Sequence, residues 1–140
     1  MKLLRVIQER EFYRVGGEQP IKVDVRIIAT TNVDLWKLVE EGKFRQDLYW
    51  RLNVITIDIP PLRERREDII PLAQFFLKKY NMKYHREKRL SIELMKWLYG
   101  TDWPGNIREL SNLIENMVIF TRESSLSVKH IPRKYHRIIE

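Results

Sequence analysis

Three arginines stand out because their surroundings suit contact with phosphate. Arg45 and Arg51 flank one short segment, and Arg108 follows the run Trp103-Pro104-Gly105-Asn106-Ile107. Hydrolysis of a nucleoside triphosphate requires cations against the charge on the γ-phosphoryl group, and a guanidinium group can donate two parallel hydrogen bonds to phosphate oxygens. An arginine offered across a subunit boundary supplies that charge only when the neighbour is docked. These three residues are therefore candidates for phosphate contact.

Each arginine also has a simpler interpretation as one half of a surface ion pair. Arg45 and Arg51 lie in sequence near Asp47 and Glu41, which are possible partners. Arg108 lies one turn or less inside a predicted helix, whose N-terminal amides attract anions, so it either meets a phosphate or pairs with a nearby acid. Spacing alone leaves both interpretations open.

Thr31 and Asn32 lie where a predicted strand, Val23–Ala29, gives way to polar residues. In open α/β sheets, ligands bind at the carboxyl ends of the strands. The amide of Asn32 both donates and accepts hydrogen bonds, so it could orient a water molecule near a γ-phosphate. The alternative is that Asn32 caps the helix that follows.

The formal net charge of +7 is unevenly distributed. Residues 1–60 carry 10 basic and 9 acidic side chains, whereas residues 61–140 carry 16 and 10. The excess is concentrated between Lys78 and Arg89, which either tracks nucleic acid or is a solvated helix end. A small basic helical module that binds nucleic acid is therefore the alternative function, although no helix is rich in base-reading side chains.

Other classes of protein are disfavoured by composition. The chain has no cysteine, and its histidines, His85, His130 and His136, are dispersed, so no metal site is expected. No window approaches the roughly 20 apolar residues that span a bilayer. We expect a soluble, cytoplasmic protein.

The order of the elements predicts an α/β region followed by helices. An opening helix precedes a strand at Phe12–Val15 with a turn at Gly16-Gly17, then the strand Val23–Ala29 and a helix from Leu35 that stops at Gly42. A helical turn or two from Gln46 leads to a strand, Val54–Ile59, which ends at two prolines. We therefore predict a partial α/β domain at residues 1–61.

The second half has the three- and four-residue spacing of helices that share a core. A long helix carries Ile69, Ala73 and Phe76 on one face, and a second is expected to begin after an N-cap at Ser91. Asn106, with Glu109 three residues later, forms a capping-box pattern for a third. Residues 62–140 are therefore predicted to form a small helical bundle, which the segment after residue 125 helps to cover.

Five strings, taken together, resemble one family. They are Arg-Val-Gly-Gly (14–17), Ile-Ile-Ala-Thr-Thr-Asn (27–32), Phe-Arg-Gln-Asp-Leu-Tyr-Trp-Arg-Leu-Asn-Val (44–54), Pro-Pro-Leu-Arg-Glu-Arg (60–65) and Trp-Pro-Gly-Asn-Ile-Arg-Glu-Leu (103–110). In this order they resemble the AAA+ ATPase domain of bacterial sigma-54-dependent transcriptional activators, the NtrC-like family, over nearly the whole chain.

The resemblance implies roles for the candidate residues. Thr31 and Asn32 match the sensor I position, and Arg45 and Arg51 match the paired arginine fingers that reach the ATP of a neighbouring subunit. Arg108 matches the sensor II arginine of the helical lid. Intact members of the family form ring oligomers that use ATP and Mg²⁺ to remodel RNA polymerase bound to sigma-54.

The chain also departs from the family pattern. None of its five glycines completes the phosphate loop G-x-x-x-x-G-K-[ST], and no strand ends in the Asp-Glu pair that holds Mg²⁺. The loop that contacts sigma-54 and a DNA-binding helix-turn-helix are also absent from the match. We expect a part of the ATPase module that neither binds ATP tightly nor hydrolyses it alone, with no direct DNA binding.

A structural prediction follows from the same departure. In the family sheet, the strand carrying the phosphate loop lies between the strands that match Val23–Ala29 and Val54–Ile59. Without that neighbour, both strands would have unpaired edges. The fold class is thus an incomplete sheet region followed by a well-formed helical lid.

Overall fold

A computed structural model describes residues 2–17 and 19–138. The chain divides into two compact units, Met1–Asp58 and Ile59–Glu140, which we call the first and second units. Within the described residues, no helix combines the length and the apolar character that crossing a membrane requires. The fold class is confirmed: a partial α/β region precedes a helical bundle.

The first unit contains short elements joined by extended chain. Helix α1 and helices α2 and α3 are accompanied by a two-stranded antiparallel sheet, β1–β2. The bounds are α1 Lys2–Glu9, β1 Glu11–Tyr13, β2 Pro20–Lys22, α2 Leu35–Glu40 and α3 Gln46–Leu52. The predicted opening helix, first strand and two short helices are thus present. At the predicted glycine turn, Gly16 adopts a positive φ of 77° and Gly17 N–H donates to Arg14 O at 3.0 Å.

The two predicted strands at Val23–Ala29 and Val54–Ile59 are wrong as assignments. Residues 23–31 have no strand pairing, and residues 53–55 form a turn and a bend before an unpaired stretch. A strand is maintained by inter-strand hydrogen bonds, and no described strand of the chain pairs with either segment. As a result Ile28, Ile55 and Ile57 are 79%, 82% and 82% exposed.

The second unit is built around α4 and α6, which pack against each other. Its helices and strands are α4 Ile69–Tyr84, β3 Arg89–Leu90, α5 Ile92–Gly100, α6 Asn106–Phe120 and β4 Ser125–Leu126. Short 3₁₀ turns lie at Leu62–Glu64, Arg66–Asp68, Val128–His130 and Arg133–Ile138. The strands β3 and β4 form a two-residue parallel pair.

The core of the second unit confirms the predicted helical stripes. Ile69, Ala73 and Phe76 of α4 are buried, as is one apolar face of each of α5 and α6. The buried set also includes Leu62, Tyr80, Leu94, Leu98, Trp103, Leu110, Leu113, Ile114, Met117, Val118, Leu126, Ile131 and Tyr135. The segment after residue 125 therefore contributes Leu126, Ile131 and Tyr135 to the core.

Polar contacts fix the register of α4 against α6. The hydroxyl groups of Tyr80 and Ser111 are 2.7 Å apart, and Tyr84 donates to Glu115 Oε1 at 2.7 Å. Lys83 Nζ lies 2.9 Å from the same carboxylate oxygen. Hydrogen bonds from Tyr84 and Lys83 lower the pKa of Glu115. The helix pair is thus joined by apolar packing and by one polar cluster at its edge.

Candidate functional site

Helix α3 positions two of the candidate arginines. Gly42, with a positive φ of 69°, ends the α2 segment, and the next two amides donate to Leu38 O at 2.8 and 3.0 Å. Leu48 is the one buried residue of the first unit among those described. A tight turn and one apolar anchor therefore hold α3 beside α2.

Three aromatic rings strengthen this pairing of α2 with α3. The ring centroids of Trp36, Tyr49 and Trp50 lie 5.1–5.7 Å apart in tilted and edge-on arrangements. Trp36 Nε1 also donates to Glu40 Oε1 at 2.9 Å. The cluster orients α3, and with it the residues at both of its ends.

Arg45 precedes α3 and is engaged by Asp47. Its Nε and Nη2 atoms donate to the two carboxylate oxygens at 2.9 and 2.6 Å, in a bidentate arrangement. This pairing raises the pKa of Arg45 and lowers the pKa of Asp47. The ion-pair alternative is thus observed for Arg45, but the pair is exposed and water can compete for it.

Arg51 lies in the last turn of α3 and is exposed. Among the described residues, its guanidinium group has neither a hydrogen-bond partner nor an ion-pair partner, and Asp47 is engaged with Arg45. A cation near a helix C-terminus is favoured by the helix dipole. Arg51 is therefore an available cation, held on a short helix at the surface.

Thr31 and Asn32 are both exposed, and neither caps α2. The hydroxyl group of Thr31 accepts from Val33 N–H and donates to Val33 O, both at 3.1 Å, in a local turn. Asp34 is the N-cap, since its carboxylate accepts from Trp36 N and Lys37 N. The cap predicted at Asn32 is therefore wrong: a carboxylate two residues later takes that position.

The turn before α6 is fixed by unusual backbone geometry. Trp103 and Asn106 both have a positive φ of 53°. Trp103 is fully buried and its indole donates to Leu98 O at 2.9 Å. Gly105 has no room for a side chain, because an added Cβ would lie 2.8 Å from Glu109 Cβ. The Trp-Pro-Gly-Asn string is thus a structural requirement for the start of α6.

The predicted capping box is only half present. Glu109 Oε2 accepts from Gly105 N–H at 2.8 Å, as a capping-box glutamate would, although from one residue earlier than predicted. The side chain of Asn106 does not cap the helix; its Oδ1 atom accepts from Leu62 N–H at 2.8 Å. The left-handed backbone at Asn106 turns its amide towards the segment that enters the second unit, so it ties two distant segments together.

Arg108 lies in the first turn of α6 and is exposed. Within the described part of the chain, its guanidinium group makes no hydrogen bond or ion pair. It borders an open surface depression lined by Gly105, Arg108, Glu109, Asn112, Lys134 and Tyr135. In this depression a candidate arginine meets other polar groups in a concave surface.

Two residues of this depression were missed at the sequence level. Asn112 follows Arg108 by four residues, a spacing that places both on one face of a helix and could have identified it. Lys134 is separated from Arg108 by 26 positions in the sequence, and no motif points to it. Only the folded segment after Ile131 brings it to the depression.

The basic stretch from Lys78 to Arg89 is partly internal. Lys83 Nζ donates to Glu115 Oε1, and its hydrogen bonds with Tyr84 and Glu115 raise the pKa of Lys83. Lys88 is buried and donates to Arg122 O and Glu123 O at 3.1 and 2.7 Å. Two of its cations therefore serve the fold, which weakens the nucleic-acid alternative. Among the described residues, no cluster of three or more metal-binding side chains is found.

Comparisons with known proteins match both units. Residues 1–58 match the family described as the sigma-54 interaction domain, and residues 63–138 match the AAA+ ATPase lid domain. The regulatory protein AtoC of Escherichia coli is 52% identical over 133 residues, which are 94% of this chain and 29% of AtoC. The Nif-specific regulatory protein of Herbaspirillum seropedicae is 51% identical over 130 residues, which are 92% of this chain and 24% of that protein.

Solved structures of NtrX from Brucella abortus are similar as well. The crystal structure with ATP superposes with a TM-score of 0.89 at 37% identity, covering 97% of this chain and 32% of NtrX. The structure with ADP gives a TM-score of 0.87 at 35% identity, again covering 97% of this chain and 32% of NtrX. The chain thus spans about a third or less of the length of these relatives.

Proposed function

The chain belongs to the sigma-54 interaction family of AAA+ ATPases and includes the lid domain, and we propose that it contributes cations to ATP hydrolysis in a transcriptional activator. Arg45 and Arg51 serve the nucleotide of a neighbouring subunit, and Arg108 serves the nucleotide from the lid. The observation that carries the proposal is that Arg51 and Arg108 are exposed and make no hydrogen bond or ion pair with a described residue.

The chemistry of phosphoryl transfer explains why such cations are useful. The transferred group is stabilised almost entirely by positioning and by charge, and an arginine supplied by a neighbour contributes ~10³–10⁵-fold to the rate in the best-studied nucleotidases. In this proposal Arg51 takes the role without first breaking a contact to a described residue. Arg45 must exchange Asp47 for phosphate, which is feasible because that pair is exposed to water.

Asn32 is the better candidate of the sensor I pair. The hydroxyl group of Thr31 is already committed to the turn at Val33, whereas the Asn32 amide is exposed and has no described hydrogen-bond partner. In this proposal Asn32 orients the attacking water, and Thr31 holds the turn that presents it.

ATP is the proposed ligand because NtrX from Brucella abortus has been crystallised with ATP and with ADP. The cationic residues fit contact with its phosphates, while this chain contains no phosphate-loop sequence to enclose them. Bound ATP, with Mg²⁺, would supply the reactive γ-phosphoryl group. We further propose that the activator works as a ring in the bacterial cytoplasm and acts on RNA polymerase bound to sigma-54.

The first test measures ATP hydrolysis by the 140-residue chain alone. We expect no hydrolysis above the background of a matched Arg51→Ala sample, because the chain lacks the phosphate loop. Hydrolysis by the purified chain, lost on Arg51→Ala, would contradict this part of the proposal.

The second test places the chain in a complete ATPase. The matched 133 residues of AtoC are replaced by those of this chain, so that AtoC provides the rest of the module. Arg51→Ala and Arg108→Ala should each lower kcat by about 100-fold or more. Arg86→Ala is the matched control, since Arg86 is also exposed and its side chain has no described partner. Full activity in both variants would reject the assignment.

A further inference from the structure

The depression beside Arg108 contains more positive charge than the family assignment requires. Arg108 and Lys134 both line it, and Glu109 is the only acid among its lining residues. The carboxylate of Glu109 is already engaged by Gly105 N–H at 2.8 Å. Two cations therefore line the depression against one carboxylate, and within the described part of the chain neither cation forms an ion pair with Glu109.

Lys134 is held in place by its own segment. The neighbouring Tyr135 is buried in the core, and its amide donates to Pro132 O at 2.9 Å. The ammonium group of Lys134 lies 5.0 Å from the centroid of the Tyr135 ring, a cation–π contact. Among the described residues, Lys134 has no acidic partner. The ammonium group is thus held beside Tyr135 without being neutralised by a described acid.

The remaining lining residues suit an anion as well. Gly105, Arg108 and Asn112 follow one face of α6, starting at its N-terminus, where the helix dipole is positive. Asn112 is exposed and adds an amide donor. The depression thus combines two positive charges, which outnumber the single carboxylate of Glu109, with a neutral donor and a favourable helix end. This combination suits phosphate oxygens.

The geometry points to Lys134 as a second phosphate-binding cation, which acts with Arg108 on the phosphate chain of the same nucleotide. The inference rests on the proposed function, since it takes ATP as the ligand of the Arg108 site. Lys134 acts chiefly in nucleotide binding. Arg108, in contrast, is expected to influence the catalytic rate too.

The test uses a form of the AtoC chimera in which all 140 residues of this chain replace the matched AtoC segment, so that Lys134 is present. Lys134→Met removes the charge but keeps an apolar stem against Tyr135, and Lys134→Arg keeps the charge. We expect Lys134→Met to raise the KM for ATP by roughly tenfold and to change kcat less than twofold, because a charge-assisted hydrogen bond to bound phosphate is lost. Lys134→Arg should retain a KM close to that of the parent.

Controls separate this effect from a loss of structure. Lys129→Met removes an exposed lysine of the same region, which pairs with Glu123 at 3.4 Å, and should leave KM unchanged. The Tm of Lys134→Met should match that of the parent. If Lys134 only supported the fold, Tm would fall and the KM of the folded protein would not move.

The outcomes distinguish the two proposals. If Arg108→Ala impairs hydrolysis and Lys134→Met leaves KM unchanged, the role of Lys134 is wrong and the proposed function stands. If neither variant affects hydrolysis, the assignment of Arg108 fails, and with it the inference. A raised KM for Lys134→Met, restored in Lys134→Arg, supports the two-cation site.

Discussion

The two units of this protein differ in how completely each buries its apolar side chains and pairs its polar groups. In the second unit, Leu98, Leu110 and Leu113 are fully buried, and the two main helices share both a core and a polar cluster. In the first unit, Leu48 is the one buried residue among those described, while Ile55 and Ile57 are 82% exposed. The same chain thus contains one unit with a well-packed core and one with very little core.

The difference follows from the kind of contact that each unit requires. Amphipathic helices form their backbone hydrogen bonds internally and need a neighbour only to bury an apolar stripe, as α4 and α6 do for each other. Strands need hydrogen-bond partners along their whole length, and among the described residues the segments at 23–29 and 54–59 pair with no strand. The candidate arginines differ in the same way. Arg108 lies on the well-packed helix α6, whereas Arg51 lies on α3, a helix of only seven residues.

The largest expected effect comes from removing core volume in the second unit. Leu110→Ala should lower the free energy of unfolding by ~3–5 kcal/mol, because a fully buried side chain is replaced by a cavity. The matched change in the first unit, Ile57→Ala, should have an effect within about 0.5 kcal/mol, because Ile57 is exposed. Urea unfolding followed by circular dichroism measures both.

The results for Leu110→Ala and Ile57→Ala test the contrast between the two units directly. Equal losses of stability in Leu110→Ala and Ile57→Ala would mean that the first unit packs Ile57 in a core of its own. The contrast between the units would then be wrong.

A smaller effect is expected at the link between Leu62 and Asn106. Asn106→Gly keeps the left-handed backbone accessible but leaves the buried Leu62 amide without its acceptor, and should cost ~1–3 kcal/mol. Asn106→Ala should cost about 1 kcal/mol more, because a Cβ disfavours positive φ. Thermal unfolding of both variants checks the order, and a parent-like Tm for Asn106→Gly would contradict the role of this bond.

The sequence predicted the second unit well, and for a physical reason. The three- and four-residue spacing of Ile69, Ala73 and Phe76 reports a helix and its buried face together. Ser91 was predicted as a cap, and its hydroxyl group does accept from Leu94 N–H at 3.1 Å. Local patterns of this kind are complete within a few turns of helix.

What the sequence could not predict depends on distant partners. The β-branched runs at 23–29 and 54–59 resemble strands in composition, but pairing decides whether a strand forms. Asparagine is a residue type that often caps helices, yet the backbone geometry of Asn106 turns its side-chain amide towards Leu62, whose N–H donates to it. Lys134 reaches Arg108 only through the folded C-terminal segment, so no spacing rule identifies it.

The smallest expected effect is the pH dependence of stability in the second unit, and it comes from Glu123. The backbone N–H of Glu123 itself, and then hydrogen bonds with His130 and Lys129, lower the pKa of this carboxyl group to about 2. A lowered pKa in the folded state means that the charged carboxylate adds stability above its unfolded pKa, and this stability is lost as pH falls from about 4.5 towards 2.

Substitution of Glu123 sharpens the pH prediction. Glu123→Gln should lower Tm by roughly 1–3 °C at pH 6, and the difference from the parent should disappear near pH 2. Calorimetry at both pH values measures it. A Tm difference that persists unchanged at low pH would show that the carboxylate charge is not its cause.

The measurement that tests the central claim most directly is complementation between two inactive AtoC chimeras. One carries Arg51→Ala, and the other keeps Arg51 but has alanine in place of the lysine of the phosphate loop that, under the proposed function, its AtoC part supplies. If Arg51 acts on the nucleotide of a neighbouring subunit, mixing the two chimeras should restore ATP hydrolysis to at least several times the sum of their separate rates. If each chimera assembles but the mixture gains nothing, Arg51 does not act on the nucleotide of another subunit.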